Sequence, residues 1–296
     1  MRTRRRLLLL AAMLIASPAV AQDKIKVVAT FSILGDLVKN VGGNRVELAT
    51  LVGPNGDAHV YSPAPGDAKT LAAARLVFVN GLGLEGWMTR LVKASGTKAT
   101  SVVVSAGVKP RQAQDAHGHN HSADPHAWQS IANAKIYVAN IRDGLIRADA
   151  AGKAVYEANA ASYLARLDAL DAEVRATIAK IPAGRRRIIT SHEALGYFGE
   201  AYGVEIIGAV GVSTGSEPSA RDIARIIAQI KRQNIPAVFM ENISDQRLIQ
   251  QIARETGART GGTLYSDALS EPAGPAGSYI DMMRNNALQL SKALAG

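Results

Sequence analysis

The chain of 296 residues is predicted to have an α/β fold with two (β/α) lobes, each holding a parallel-type sheet, joined by one long rigid backbone helix. Three observations predict this fold. Short β-branched runs alternate with segments of helical period in the first half of the chain. The same alternation resumes in the second half. Between the halves, apolar residues recur at the three- and four-residue spacing of an amphipathic helix.

The first element, residues 1–21, has the three parts of an export signal. Four arginines are followed by an apolar run over residues 7–15 and then by Ala19-Val20-Ala21, the small-x-small pattern of a cleavage site. The apolar run is too short to span a bilayer as a stable helix. We therefore expect a signal peptide, a mature chain that begins at Gln22 and a periplasmic location. Because the chain contains no cysteine, we expect a soluble protein without a lipid anchor.

The N-terminal lobe is predicted over residues 22–150 and the C-terminal lobe over residues 183–296. In both, short runs of Val, Ile and Leu read as strands of a sheet that helices cover on both faces. The strand candidates are residues 25–30, 46–51, 76–79 and 102–104 in the first lobe and residues 188–189, 204–207, 237–240 and 263–265 in the second. Helices are predicted in the second lobe over residues 219–233 and 246–256.

One linking helix is predicted over residues 151–182. Its apolar stripe consists of Leu164, Leu167, Leu170, Val174 and Ile178, in an alanine-rich stretch that ends before a proline. A continuous helix is stiffer than a Gly-Ser linker, so we expect small rearrangements of the lobes rather than wide hinge closure.

Composition excludes several classes of protein. With 47% apolar residues the chain can bury a sizeable core, and without cysteine it is not a disulfide scaffold. The net charge is +9, but four of the basic residues lie in the first six positions; without them 30 basic residues face 25 acidic ones, a net charge of +5. Since only 5% of residues are aromatic and no basic run lies elsewhere, we expect no nucleic-acid binding. We also expect the protein to be a monomer.

Four residues with metal-binding side chains stand in loops or at strand ends. His59 follows a Gly-Asp-Ala turn, His126 lies in DPHAW, His192 ends the run that begins with Ile188, and Asp267 follows the last predicted strand. Open α/β sheets gather ligands at such positions. Three imidazoles and one carboxylate in the cleft between the lobes would complete a tetrahedral zinc shell. Taken alone, each histidine is more often a core or surface residue, and Asp267 is as readily a cap.

Five segments carry a resemblance to a known family: GDAHVYSP, NGLGLEGWM, DPHAW, SHEALGYF and LYSDALS. With them, residues 25–294 resemble the solute-binding proteins of bacterial zinc and manganese ABC transporters. The resemblance implies two α/β lobes bridged by a long helix, with the metal between them and His59, His126, His192 and Asp267 as its ligands. Manganese-selective members resemble this pattern but carry glutamate at the third position, so His192 favours zinc.

The resemblance also implies a function and partners. The protein would bind zinc as a transported ion, not as an enzyme, and deliver it to the membrane permease of an ABC transporter. A periplasmic zinc chaperone would be a further partner. His117, His119 and His121 resemble a short form of the His-rich loop of zinc-specific members. They are either an auxiliary capture site that raises the local zinc concentration or a solvated loop with incidental metal affinity.

Two alternatives stay open at this point. One is a manganese- or iron-binding protein of the same transporter class, since Glu193 lies beside His192. The other is a periplasmic zinc enzyme, which needs an open coordination position and therefore requires that Asp267 is not a ligand. The G-x-S-x-G pattern of residues 211–215 does not favour a hydrolase, because no histidine follows its serine. We interpret it as an interdomain loop.

Overall fold

Two four-stranded parallel sheets organise the fold, which comes from a computed structural model that describes residues 23–114, 120–215 and 218–295. The first sheet has the order β2-β1-β3-β4, with strands β1 (Ile25–Phe31), β2 (Val46–Val52), β3 (Leu76–Val79) and β4 (Thr100–Val103). The second has the order β10-β9-β7-β8, with strands β7 (Arg187–His192), β8 (Glu205–Val210), β9 (Ala237–Val238) and β10 (Arg259–Thr260). Between them in sequence, β5 (Gln112–Gln114) and β6 (Asn120–Ala123) pair antiparallel.

Helices follow the strands in the alternation that the sequence predicts. They are α1 (Ser32–Gly42), α2 (Pro65–Ala73), α3 (Met88–Ser95), α4 (Ile131–Ala148), α5 (Lys153–Ala179), α6 (Gly196–Tyr202), α7 (Ala220–Gln233), α8 (Gln246–Thr256) and α9 (Tyr279–Leu294). Helix α7 begins at a capping box, in which the Ser219 hydroxyl accepts a hydrogen bond from the Asp222 backbone N–H. None of the helices in the described part of the chain is long and apolar enough to cross a membrane.

The prediction of a strand at residues 263–265 is wrong. Only Leu264 pairs there, as an isolated bridge to Glu241, and the edge strand of the second sheet is β10 instead. Two glycines separate β10 from this bridge, and glycine interrupts a strand because it has no side chain to pack. The position of Gly261 also requires glycine, since a Cβ there would lie 2.1 Å from the Phe239 ring.

The long helix α5 spans 27 residues and begins after a 3-10 turn at Ala150–Gly152. Its buried face comprises Tyr156, Ala160, Tyr163, Leu167, Leu170, Val174 and Ile178. Four of the five residues of the predicted stripe belong to this face. Leu164 is only half-buried, and Tyr156, Ala160 and Tyr163 extend the face toward the N-terminus of the helix. The helix packs against α1, α4 and α9, and so contacts helices of both halves of the chain. The lobe limits at residues 150 and 183 stay a prediction.

One hydrophobic core runs through both halves of the protein. It joins buried residues of the first sheet with those of α6 and α9, and a smaller second cluster lies within the C-terminal half. Phe31 and Trp128 pack with ring centroids 5.0 Å apart, and the Tyr279 hydroxyl donates to the Trp128 carbonyl. Exposing one such ring would cost roughly 4 kcal/mol. The two halves are therefore held close, which favours small movements between them.

Candidate metal-binding site

The four residues singled out by the sequence come together between the two sheets. His59 lies in the loop between β2 and α2, and His126 directly precedes the 3-10 turn Ala127–Gln129. His192 is the last residue of β7, and Asp267 lies in the loop after the bridge at Leu264. One ligand atom from each of the four lies within 4.8 Å of the others.

The distances within this cluster match those of a metal shell. The His59 Nε2 atom lies 3.1 Å from His126 Nε2 and 3.2 Å from an Asp267 carboxylate oxygen. His192 Nε2 lies 3.1 Å from the same oxygen, and His126 Nε2 lies 3.6 Å from the other one. Ligands of a tetrahedral zinc at about 2.0–2.1 Å are about 3.3 Å from one another. All three imidazoles therefore present the Nε2 atom at the spacing that one small cation requires.

The cluster is buried and strongly coupled. His126, His192 and Asp267 are fully buried, whereas the His59 side chain is 5% exposed. Burial lowers the pKa of His126, but the Asp267 and Asp124 carboxylates outweigh it and raise this pKa to about 9. Burial also lowers the pKa of His192, but the Glu241 and Asp267 carboxylates outweigh burial and raise this pKa well above its ordinary value. Burial alone would raise the pKa of Asp267, but His126 and His192 hold it well below its ordinary range.

Two buried carboxylates orient two of the imidazoles from behind. His126 Nδ1 lies 2.7 Å from Asp124 Oδ1, which also accepts the His126 backbone N–H. His192 Nδ1 lies 2.8 Å from Glu241 Oε2, while Glu241 Oε1 accepts the His192 backbone N–H. Nδ1–H groups that donate to carboxylates leave the Nε2 lone pairs for a metal.

These two carboxylates are not among the residues predicted from the sequence. A signal existed for both: Asp124 is the first residue of DPHAW, and Glu241 directly follows a predicted strand.

His59 is held differently from the other two histidines. Its backbone N–H donates to Asp57 Oδ1, and this hydrogen bond closes a local turn. The Trp87 indole donates to the carbonyl of Ala58. The second oxygen of Asp57 accepts the Thr214 hydroxyl at 2.6 Å. Thr214 belongs to the loop that the sequence marks as interdomain, so this hydrogen bond links the His59 loop to the C-terminal half.

Asp267 is fixed by its neighbour in the chain. The Ser266 carbonyl accepts hydrogen bonds from the Trp128 indole at 2.9 Å and from the Gln129 amide at 2.6 Å. Both donors lie just beyond His126, so His126 and Asp267 are tied to each other although they come from different halves. Asp267 Oδ1 is buried without a hydrogen-bond partner, so it is free to bind a cation.

The structure does not describe the side chains of the other predicted metal-binding residues. His117 and His119 lie outside the described residues, as does the side chain of His121, whose backbone belongs to β6. The signal peptide predicted at residues 1–21 also lies outside them. Their roles stay predictions.

Comparisons with known proteins agree with this architecture. Residues 27–293 match the ZnuA family, described as zinc-uptake complex component A, periplasmic. The manganese-binding lipoprotein MntA of Halalkalibacterium halodurans is 34% identical over 89% of this chain and 86% of its own length. The manganese ABC transporter substrate-binding lipoprotein PsaA of Streptococcus anginosus is 33% identical over 94% and 91%. The solved structure of the periplasmic zinc-binding protein TroA from Treponema pallidum has a TM-score of 0.86 at 32% identity, covering 92% of this chain and 100% of that one.

Proposed function

This chain belongs to the ZnuA family of periplasmic metal-binding components of ABC importers, and from that premise we propose that it binds one zinc ion through His59, His126, His192 and Asp267 and delivers it to a membrane permease. The family consists of transport proteins and not enzymes. A permease partner follows from membership, while a zinc chaperone as a further partner and a monomeric state belong to the proposal.

The single observation that carries the ligand assignment is the convergence of four donors from four distant segments. Three neutral imidazoles and a carboxylate are borderline ligands that suit zinc. Four protein ligands also close a tetrahedral shell, which leaves no position for an activated water and disfavours the alternative of a zinc enzyme. The buried Asp267 carboxylate supplies the only negative charge within this donor set, and it reduces the net charge of the bound ion.

Metal analysis of protein purified without a His-tag tests the ligand assignment. We expect one zinc per chain, and we expect His126→Ala and His192→Ala to lose zinc to a chelator that wild-type protein resists. Glu255→Gln, at an exposed position on α8, is the matched control and should retain the metal. Zinc affinity of wild-type strength in His192→Ala would contradict the assignment.

Manganese is the second candidate for the transported ion, and two observations favour it. The relatives MntA and PsaA are a manganese-binding lipoprotein and a manganese ABC transporter substrate-binding lipoprotein. In addition, the unpartnered Asp267 Oδ1 would allow this carboxylate to bind through both oxygens, giving five donors for an ion that prefers oxygen and higher coordination.

Transport rather than affinity distinguishes the two ions. Zinc binds more tightly than manganese to almost any site of nitrogen and oxygen ligands, so a competition in solution does not reveal the cargo. The decisive measurement is uptake of radiolabelled zinc or manganese by cells that lack the gene, complemented with the wild-type gene or with His192→Glu. We expect the wild-type gene to restore zinc uptake. Restoration of manganese uptake alone would establish the second candidate.

A further inference from the structure

Arg111, a residue outside the donor set, contacts both the carboxylate that supports His126 and the residue that follows His192. Its Nη1 atom lies 3.1 Å from Asp124 Oδ2 and 2.8 Å from Glu193 Oε1, and its Nε atom lies 2.9 Å from Glu200 Oε1. Asp124 supports His126, and Glu193 directly follows His192. One guanidinium group therefore connects the segment that carries His126 to the segment that carries His192, across the two halves of the protein.

The backbone around Arg111 is fixed in the same place. The Arg111 N–H donates to the Tyr197 hydroxyl at 2.8 Å, and that hydroxyl donates to the Asp124 carbonyl at 3.0 Å. The Asp124 N–H in turn donates to the Arg111 carbonyl at 2.8 Å. Tyr197 belongs to α6, so the base of the β5–β6 pair is docked on a helix of the C-terminal half.

The guanidinium also occupies space that only a glycine leaves open. A Cβ atom at Gly196, the first residue of α6, would lie 2.5 Å from the guanidinium carbon of Arg111. The position is thus shaped for a planar group with several donors that serves three carboxylates together. A lysine has the same charge but not the planar fork.

We propose that Arg111 is a positioning residue of the metal site: it orients the Asp124 carboxylate behind His126 and fixes this support to the segment of His192. Arg111 touches neither the metal nor any of the four donors. Its contribution is to hold the two imidazoles at the separation and angle that one ion needs, and so to slow the loss of that ion. This inference rests on the proposed function, because it assumes that His126 and His192 bind the metal.

The test compares zinc dissociation from wild-type protein and from Arg111→Gln, Arg111→Lys and Gly196→Ala, measured by transfer to an excess of fluorescent chelator. Loss of an outer partner of a metal ligand typically weakens binding by about 10- to 100-fold, so we expect dissociation from Arg111→Gln to be about tenfold faster or more. Arg111→Lys should be intermediate. Arg284→Gln, which removes an exposed ion pair with Glu173, is the control and should match the wild type.

Two further features separate positioning from mere stability. Gly196→Ala displaces the guanidinium while retaining every charge, so it decides the question if Arg111→Gln does not fold. The visible spectrum of the Co²⁺-loaded protein reports the geometry of the donors, and we expect it to change in both variants.

Dissociation within twofold of wild type in the folded variants would overturn the inference. Faster dissociation with an unchanged Co²⁺ spectrum would also overturn it. If wild-type protein bound neither zinc nor Co²⁺, the proposed function itself would fail instead.

Discussion

Replacement of Glu241 by glutamine tests how the buried carboxylate behind His192 acts. In the native protein its two carboxylate oxygens face two groups of one residue: Oε2 lies 2.8 Å from His192 Nδ1, and Oε1 accepts the His192 backbone N–H at 2.9 Å. A glutamine amide has one acceptor and one donor end. In either orientation its NH₂ group faces an N–H of His192, so one donor loses its partner in a fully buried place.

With the NH₂ group at Nδ1, the imidazole either rotates or adopts the tautomer with hydrogen on Nε2, and both outcomes weaken ligation through that atom. With the NH₂ group at the backbone N–H, the end of β7 that carries the imidazole loses its support. We expect Glu241→Gln to lower zinc affinity about 10- to 100-fold, which is about 1.4 to 2.7 kcal/mol. Competition with a fluorescent chelator measures this change, with Glu255→Gln as the control on the same half of the protein. An affinity within twofold of wild type in a folded Glu241→Gln protein would refute the reasoning, because the carboxylate would then be a passive neighbour.

Three further predictions follow from the same geometry. Because the pKa of His126 is raised to about 9, zinc must displace a proton from it at neutral pH, and the apparent zinc affinity should rise with pH up to about 9. Calorimetry in buffers of different ionisation enthalpy should show this proton release. Equal heats of binding in all buffers would contradict the prediction. Thr214→Val removes the hydrogen bond to Asp57 and should speed zinc dissociation a few-fold with little loss of stability, whereas Thr260→Val, at an exposed site, should have no effect. Deletion of residues 117–121 should leave equilibrium zinc affinity nearly unchanged but slow loading at low zinc; identical loading kinetics would remove the auxiliary capture role.

The fold could be predicted because its signals are local. Alternating strand and helix patterns, a helix stop before Pro182 and the Ser219 capping box all lie within a few residues of the elements they define, and α5 and α7 appear where those signals place them. The error at residues 263–265 has a tertiary cause. The triplet Thr263-Leu264-Tyr265 predicts a strand, but two preceding glycines and the close approach of Phe239 displace the edge strand to β10.

The candidate site could be predicted only in part. Residue type and position in loops or at strand ends singled out His59, His126, His192 and Asp267, and the family resemblance implied them as ligands; the structure brings the four together. What the sequence could not supply is pairing between distant segments. Glu241 lies 49 residues from His192, and Arg111 lies 82 residues from Glu193, so only the packed sheets and α6 bring these partners within hydrogen-bond distance. The position of Glu241 after a predicted strand marks it in the sequence, but which residue each partner pairs with is visible only in three dimensions.

The same contacts bear on how the metal leaves. His126 and Asp267 are tied together through the Ser266 carbonyl, and separating them would also disturb Trp128 in the shared core. His192 is held by Glu241, which lies just after β9, the strand that pairs with β7.

His59 lacks a carboxylate behind its imidazole among the contacts of the described residues, and its loop is linked to the other half through Asp57 and Thr214. A shift of this loop by a few ångströms would therefore open the shell while the core and α5 stay in place. We expect His59 to be the donor that departs first. Release of the ion at the permease then requires a local movement and not a separation of the lobes, which agrees with a stiff helix and a continuous core.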